Sequence, residues 1–399
     1  MSDPTQSKFA SPPPLKGERP SSRAMLGEQR RPSAAVLDDK NADAEHRLWS
    51  EAKREGASLQ APDSRQDPLP DPPPQAGEGA KQRKREKRDV HGWLVLDKPV
   101  GMTSTHAVSV VRRLFKAKRA GHAGTLDPLA SGCLPIALGE ATKTVPFVMD
   151  GRKTYRFTIR WGEERDTDDA EGRVVDSAQA RPTPDDIRAL LPRFTGTIAQ
   201  VPPRFSAIKI DGERAYDLAR EGEVVELAPR PVEIHHLALI ETPDPDHAVL
   251  AAQCGKGTYV RALARDMGRL LGALGHVVAL RRTIVGPFGE PHMISLEALD
   301  TLCHRAASGE GNLAELLLPV ETALDDIPAL AVSRADAARL QRGQAVLLRG
   351  RDAPVFRGPV SVTASGRLIA LAEVDHGEIV PKRVFNLAGL VGSAGRQEG

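Results

Sequence analysis

The chain has 399 residues, 40% hydrophobic and 4% aromatic, which allows two or three domains and a sizeable core. With 55 basic and 53 acidic residues its net charge is only +2, so overall charge does not point to nucleic acid and any basic surface must come from clustering. Cys133, Cys254 and Cys303 are widely spaced, with no C-x-x-C pair, which argues against a structural zinc site and a disulfide framework and fits a reducing compartment.

No apolar run approaches the ~20 residues of a membrane span. The N-terminus lacks a charged-then-apolar signal pattern. These features lead to the expectation of a cytoplasmic protein with no membrane association.

Residues 1–89 hold 12 of the 32 prolines and show no lasting apolar period. Such a segment cannot bury enough surface to offset its ordering entropy. It is expected to be a disordered extension, with at most a weak helix from Ala42 to Arg54. It ends in the basic run "KQRKREKR" at 81–88, either a solvated charge run or a tether for phosphates.

The texture changes at Val90. "GWLVLDKPVGMTS" predicts a strand entering a loop at Lys98–Pro99. In "STHAVSVVRRLFKAKRAG", Val108, Val111, Leu114 and Phe115 fall at helical spacing, and Arg112, Arg113, Lys116, Lys118 and Arg119 make the other side basic. "KTYRFTIRW" alternates, with Tyr155, Phe157, Ile159 and Trp161 on one face, as in a half-buried strand. "TPDDIRALLPRF" carries a capping pattern at Thr183 with Pro184 behind it. "AVLAAQCGKGTYVRALARDMGRLLGALG" reads as a strand, a Gly-Lys-Gly turn and an amphipathic helix stopped by Gly275.

Strands and helices mix without strict alternation. The predicted class is α+β, with a mixed, largely antiparallel sheet flanked by helices. Beyond "LLLPVETALDDIPAL", a short helix capped by Ser333 and closed at Gly343 precedes "AVLLR", "GPVSVTA", "RLIALAEVD" and "GEIVPKRVF". Short strands at regular spacing predict a small C-terminal β-barrel. There is no internal repeat.

The H-E-x-x-H, G-x-x-x-x-G-K-[ST], G-x-S-x-G and zinc-deaminase signatures are all missing, so metal, nucleotide and serine-hydrolase chemistry lose weight. Three separated segments remain. In "GHAGTLDPLASG", Pro128 keeps Asp127 out of helical geometry, and Gly124 and Gly132 permit close backbone approach. Tyr155 lies at the start of a strand. Arg261 stands in the first turn of a helix, two residues after Tyr259. Each has an ordinary explanation, respectively a turn, a core or rim tyrosine and a solvated arginine, and spacing alone does not join them.

A family resemblance does. "GHAGTLDPLASGCLPIALGEATK" resembles the catalytic loop of the bacterial tRNA pseudouridine-55 synthases, the TruB family. "GWLVLDKPVGMTS", "KTYRFTIRWGEERDTDDAEG", "VPPRFSAIKIDGERAYDLAREG", "CGKGTYVRALARDMG" and "HVVALRRTIVGPF" resemble its other motifs, in the family's order. The resemblance covers roughly 90–320, and the tail resembles a PUA-type RNA-binding barrel.

It implies a catalytic domain over 90–320 with an RNA-binding insertion at 196–228, and a PUA-like domain over 328–399. It implies conversion of a uridine in the T arm of tRNA to pseudouridine by a stand-alone, monomeric enzyme, without cofactor or metal. Asp127 would be the essential aspartate, Tyr155 the residue stacking on the flipped base, and Arg261 the partner of Asp127. His122, Tyr259, Arg204, Lys209, Arg214 and Arg220 would meet RNA, and Lys98 and Pro99 would support the floor of the site. Arg349, Arg351, Arg357, Arg367, Lys382 and Arg383 are the basic candidates of the barrel. Whether Asp127 acts as nucleophile or as base on the ribose stays open. An RNA-guided relative and a tRNA-folding chaperone are the competing readings.

Overall fold

The computed structural model describes residues 87–206, 209–210, 213–214, 227–348 and 357–387. The expected extension before residue 87, its weak helix, most of its basic run, and Arg220, Arg349 and Arg351 lie outside the described residues, as do the side chains of Lys209 and Arg214.

The first strands are β1 (Gly92–Lys98), β2 (Ala120–His122), β3 (Ala130–Leu138) and β4 (Lys153–Trp161). Then come β5 (Gly196–Gln200), β6 (Arg230–Asp244), β7 (His247–Cys254), β8 (Gly275–Val285) and β9 (Met293–Ser295). They build one mixed sheet in the order β9-β1-β3-β8-β4-β7-β6-β5, with β2 paired to β3 and Phe288–Gly289 to β8. The pairs β1/β9 and β3/β8 are parallel and the rest antiparallel, as expected from the mixed pattern. Gly196–Gln200, the opening of the expected insertion, is the edge strand of this sheet, paired to Arg230–Ile234.

Local chemistry explains the helices. In α1 (Ser104–Leu114), the Thr103 side chain accepts from the His106 N–H, and Ala107, Val111 and Phe115 turn inward. The short α2 (Val145–Asp150) follows β3, and α3 (Pro184–Leu190) carries the full Thr183–Asp186 capping box. Buried residues of β1, β3, β4, β7 and β8 pack with α1, α3 and α4 (Val260–Leu270) into one apolar cluster that includes Leu94, Leu134, Phe157, Ile187, Leu250 and Leu263. Fully burying a side chain of this size is worth roughly 1.5–3 kcal/mol.

One boundary differs from expectation. α4 ends at Leu270, not at Gly275; the chain turns at Gly272, with φ +64°, and at Leu274, with φ +48°. Gly275 is already the first residue of β8. It is glycine because the Trp161 ring lies over it, so that an added Cβ would sit 2.9 Å from Trp161 Cε3.

After α5 (Leu296–Ala307) the chain forms β10 (Ala329–Ala331), α6 (Arg334–Gln341, capped by Ser333), β11 (Val346–Leu347), β12 (Gly358–Ala364), β13 (Arg367–Asp375) and β14 (Glu378–Val384). The strands make a five-stranded curled sheet, a half-barrel, in the order β10-β12-β13-β14-β11. Leu368, Leu371 and Phe385 pack in the same apolar cluster as Trp93, Val95, Cys133 and Phe288. The two sheets therefore share core contacts, and Lys143 Nζ donates to the Val384 carbonyl at 2.7 Å.

Candidate active site

The loop between β2 and β3 carries Asp127. Its shape follows from a few buried bonds. The Ser104 hydroxyl, at the start of α1, donates to the Leu126 carbonyl at 3.0 Å and accepts from the Leu126 N–H at 2.9 Å. Leu126 is thereby pinned into the core, and its neighbour Asp127 faces outward with a side chain 39% exposed. The Ala130 N–H closes a turn on the Asp127 carbonyl, and the Gly101 N–H donates to the Pro128 carbonyl.

Lys98 is fully buried beneath this loop. Its ammonium donates to the carbonyls of Pro99 at 2.8 Å, Met102 at 2.7 Å and Pro128 at 3.4 Å. Its pKa is lowered to about 8, chiefly through burial, with the charge of Asp127 acting the other way and Arg282 adding to the fall. Lys98 thus ties the β1 loop to the Asp127 loop, and Pro99, itself exposed, contributes one of the three carbonyls.

Arg261, only 6% exposed, projects from the first turn of α4. Its Nη2 stands 2.9 Å from Asp127 Oδ2 and its Nη1 3.4 Å from Asp169 Oδ2. It also donates to the carbonyls of Thr167 at 2.9 Å and Phe205 at 3.1 Å. A guanidinium in such a setting orients a carboxylate.

One helical turn on, Arg265 pairs with buried Asp168 at 2.9 Å, with Asp266 at 2.8 Å and with the Val201 carbonyl at 2.7 Å. Burial pushes Asp168 up to about 6 against the pull of Arg265. The two arginines join the acidic turn at 166–170 to the root of the 201–205 segment. Asp168 and Asp169 were not singled out from the sequence as site residues. Their signal was the acidic stretch "DTDDAEG", which has no reading without the arginines it meets.

Tyr155 is half-buried on β4, packed against the core, and burial raises its phenol pKa. The charge of Asp127 acts on both Tyr155 and Tyr259. Tyr259 caps α4, and its backbone N–H and carbonyl are bracketed by the Gln200 amide at 2.9 and 3.1 Å, which links α4 to the edge strand β5. His122, on β2, is held below its ordinary pKa by burial and by Arg282. Its Nδ1 is buried without a hydrogen-bond partner among the described residues.

The structure therefore brings together Asp127, Arg261, Tyr155, Tyr259, His122 and Lys98. Arg204 is half-buried at the rim, in a cavity of about 320 Å³ lined also by Val201, Leu227, Arg265 and Arg269. Lys209 and Arg214 lie opposite each other in a two-stranded ribbon. Among the described residues no three His, Cys, Asp or Glu side chains are grouped to hold a metal ion, and no helix is long and apolar enough to cross a membrane.

Three family models match. Residues 112–260 match the N-terminal domain of TruB family pseudouridylate synthases, and 261–325 match a tRNA pseudouridylate synthase B C-terminal domain. Residues 328–385 match the C-terminal region of pseudouridine synthase II TruB. The tRNA pseudouridine synthase B of Bradyrhizobium diazoefficiens is 75% identical over 79% of this chain and 92% of its own length. That of Rhizobium meliloti is 57% identical over 76% of this chain and 98% of its own.

Among solved structures, an archaeal box H/ACA sRNP Nop10–Cbf5 complex aligns with a TM-score of 0.58 at 23% identity, over 74% of this chain and 86% of that one. An H/ACA RNP bound to a substrate RNA containing 2′-deoxyuridine aligns with the same score at 22% identity, over 76% and 92%. At that identity the likeness shows a shared fold.

Proposed function

Because this chain belongs to the TruB family and is a pseudouridine synthase, we propose that it converts uridine 55 in the T arm of tRNA to pseudouridine, with Asp127 as the essential carboxylate. Its curated relatives carry the name of a tRNA enzyme, which supports tRNA as the substrate. The observation that carries the residue assignment is the Asp127–Arg261 pair. A carboxylate open to solvent on one side is held at 2.9 Å by a buried guanidinium on the other, and its charge reaches two tyrosines.

The chemistry is balanced within one nucleotide. The N1–C1′ bond breaks, the C5–C1′ bond forms, C5 loses a proton and N1 gains one. Nothing is oxidised and no group is imported, so no cofactor enters the reading. The target base must leave its stack at a cost of a few kcal/mol. Stacking on the Tyr155 ring returns ~1–3 kcal/mol of that. Asp127 then attacks C1′ or removes a ribose proton, and either role needs an oxygen oriented by Arg261.

Arg204 and the Lys209/Arg214 ribbon supply phosphate contacts beside the site, with His122 meeting RNA where the uridine has left. On this reading the half-barrel over 328–385 is a PUA-like module that extends the grip on tRNA. The enzyme works as a monomer in the cytoplasm. The test is tritium release from 5-³H-uridine tRNA. Asp127→Asn abolishes release while retaining tRNA binding; release near the parental rate removes Asp127 from its role.

A further inference from the structure

We propose that Arg282 is a positioning residue that holds both ends of the Asp127 loop and Tyr155 in one frame. The inference rests on the reading of Asp127 and Tyr155 given above. Arg282 sits on β8, the strand between β3 and β4, opposite Gly132 on one side and Tyr155 on the other. It is 1% exposed. Its Nε donates to the Cys133 carbonyl at 2.8 Å, on β3 just beyond the loop. Its Nη2 and Nη1 donate to the carbonyls of Gly124 at 3.0 Å and Thr125 at 3.3 Å, at the beginning. One planar group thus joins the two stems of the segment that carries Asp127. The same residue is the sheet partner of Tyr155, and its charge acts on the Tyr155 hydroxyl.

The electrostatics are unusual. Among the described residues no carboxylate pairs with Arg282, whereas the adjacent Arg281 forms a two-point pair with Asp97. A buried cation without a counter-ion is costly, and an apolar side chain of similar volume would be the more stable occupant if packing were the only requirement. What an apolar side chain lacks is the fork of five N–H donors, which reaches carbonyls on both stems at once. Lysine, with donors on a single atom, lacks the fork's spread between the Cys133 carbonyl and those of Gly124 and Thr125. The backbone is shaped around the same residue: Gly132 has φ +96°, and an added Cβ there would lie 2.2 Å from the Arg282 carbonyl oxygen.

The experiment measures kcat, KM and melting temperature on unmodified tRNA for Arg282→Lys, Arg282→Ala and Asp127→Asn. Arg282→Lys keeps KM and melts close to the parent, while kcat falls roughly 10²-fold, the scale on which misplacement by about 1 Å acts. In Arg282→Ala, added guanidinium ion restores part of kcat and methylammonium does not. A purely structural role gives the opposite pattern: parental kcat in Arg282→Lys below its melting temperature, and no guanidinium rescue in Arg282→Ala. Either of those results, or a loss confined to KM, overturns the inference. If Arg282→Ala does not fold, Arg282→Lys decides alone. An active Asp127→Asn enzyme defeats the underlying reading; an inactive one beside a fully active Arg282→Lys defeats this inference only.

Discussion

Replacing Arg265 with methionine should make the protein's stability far more sensitive to alkaline pH, because it strips the principal cation from a buried carboxylate. Asp168 is 6% exposed and its pKa stands at about 6 when folded, against 3.8 for a free side chain. The folded carboxyl is thus the weaker acid. Below pH 3.8 both states are protonated and the group contributes no pH dependence. Between 3.8 and about 6 the unfolded chain has released its proton while the folded chain keeps it, so stability falls as pH rises, and the loss is complete above 6. Two units at about 1.4 kcal/mol each amount to roughly 3 kcal/mol.

In Arg265→Met the desolvation remains and the largest opposing charge is gone. The carboxyl loses its strongest opposing charge while Arg261 still acts on it, so its pKa rises above 6, and each further unit adds about 1.4 kcal/mol of loss at pH 9. At pH 5 Asp168 is protonated in both folded proteins, so this added loss is absent and only the lost packing, the Val201 bond and the Asp266 pair of Arg265 separate them. Urea denaturation of both proteins from pH 5 to 9, at unchanged m, reads the gap directly. A stability gap of the same size at pH 5 and pH 9 would refute the electrostatic account of the pair.

Gly132→Ala places a Cβ against the Arg282 backbone at a positive φ, so it should cost several kcal/mol in stability by thermal melting, beyond the ~1 kcal/mol of an ordinary backbone strain. Deleting residues 1–80, whose composition cannot contribute a core, should leave the melting temperature and turnover unchanged. In the half-barrel, Arg367 and Arg383 are exposed and have no acidic partner among the described residues, whereas Lys382 pairs with Glu373 at 2.9 Å. Arg367→Gln and Arg383→Gln should each lower the slope of log affinity for full tRNA against log salt by roughly one unit or less, and a T-arm stem-loop should show no change. Removing the whole half-barrel is a poorer test, because Leu368, Leu371 and Phe385 share a cluster with Trp93 and Phe288 and their loss would expose β1.

Much of the fold was legible because its signals are local. The alternation in "KTYRFTIRW" marks one buried face of β4, and the Thr183–Asp186 box marks the start of α3, each within a few residues. The order of the motifs carries the family, and with it the expectation of Asp127, Tyr155 and Arg261 as site residues. Tertiary structure decided the rest, because a guanidinium's role depends on what surrounds it and the letters "RR" do not record that. Arg281 and Arg282 are neighbours on one strand, so they point to opposite faces. One is a half-exposed ion pair with Asp97, and the other a buried clamp on carbonyls more than a hundred residues away. Lys98 beneath Pro128, Asp168 beside Arg265 and Gly275 beneath Trp161 are likewise long-range pairings. Each residue type was visible in the chain; only the packing of β8 between β3 and β4, and of α4 against them, determined which of these residues would meet.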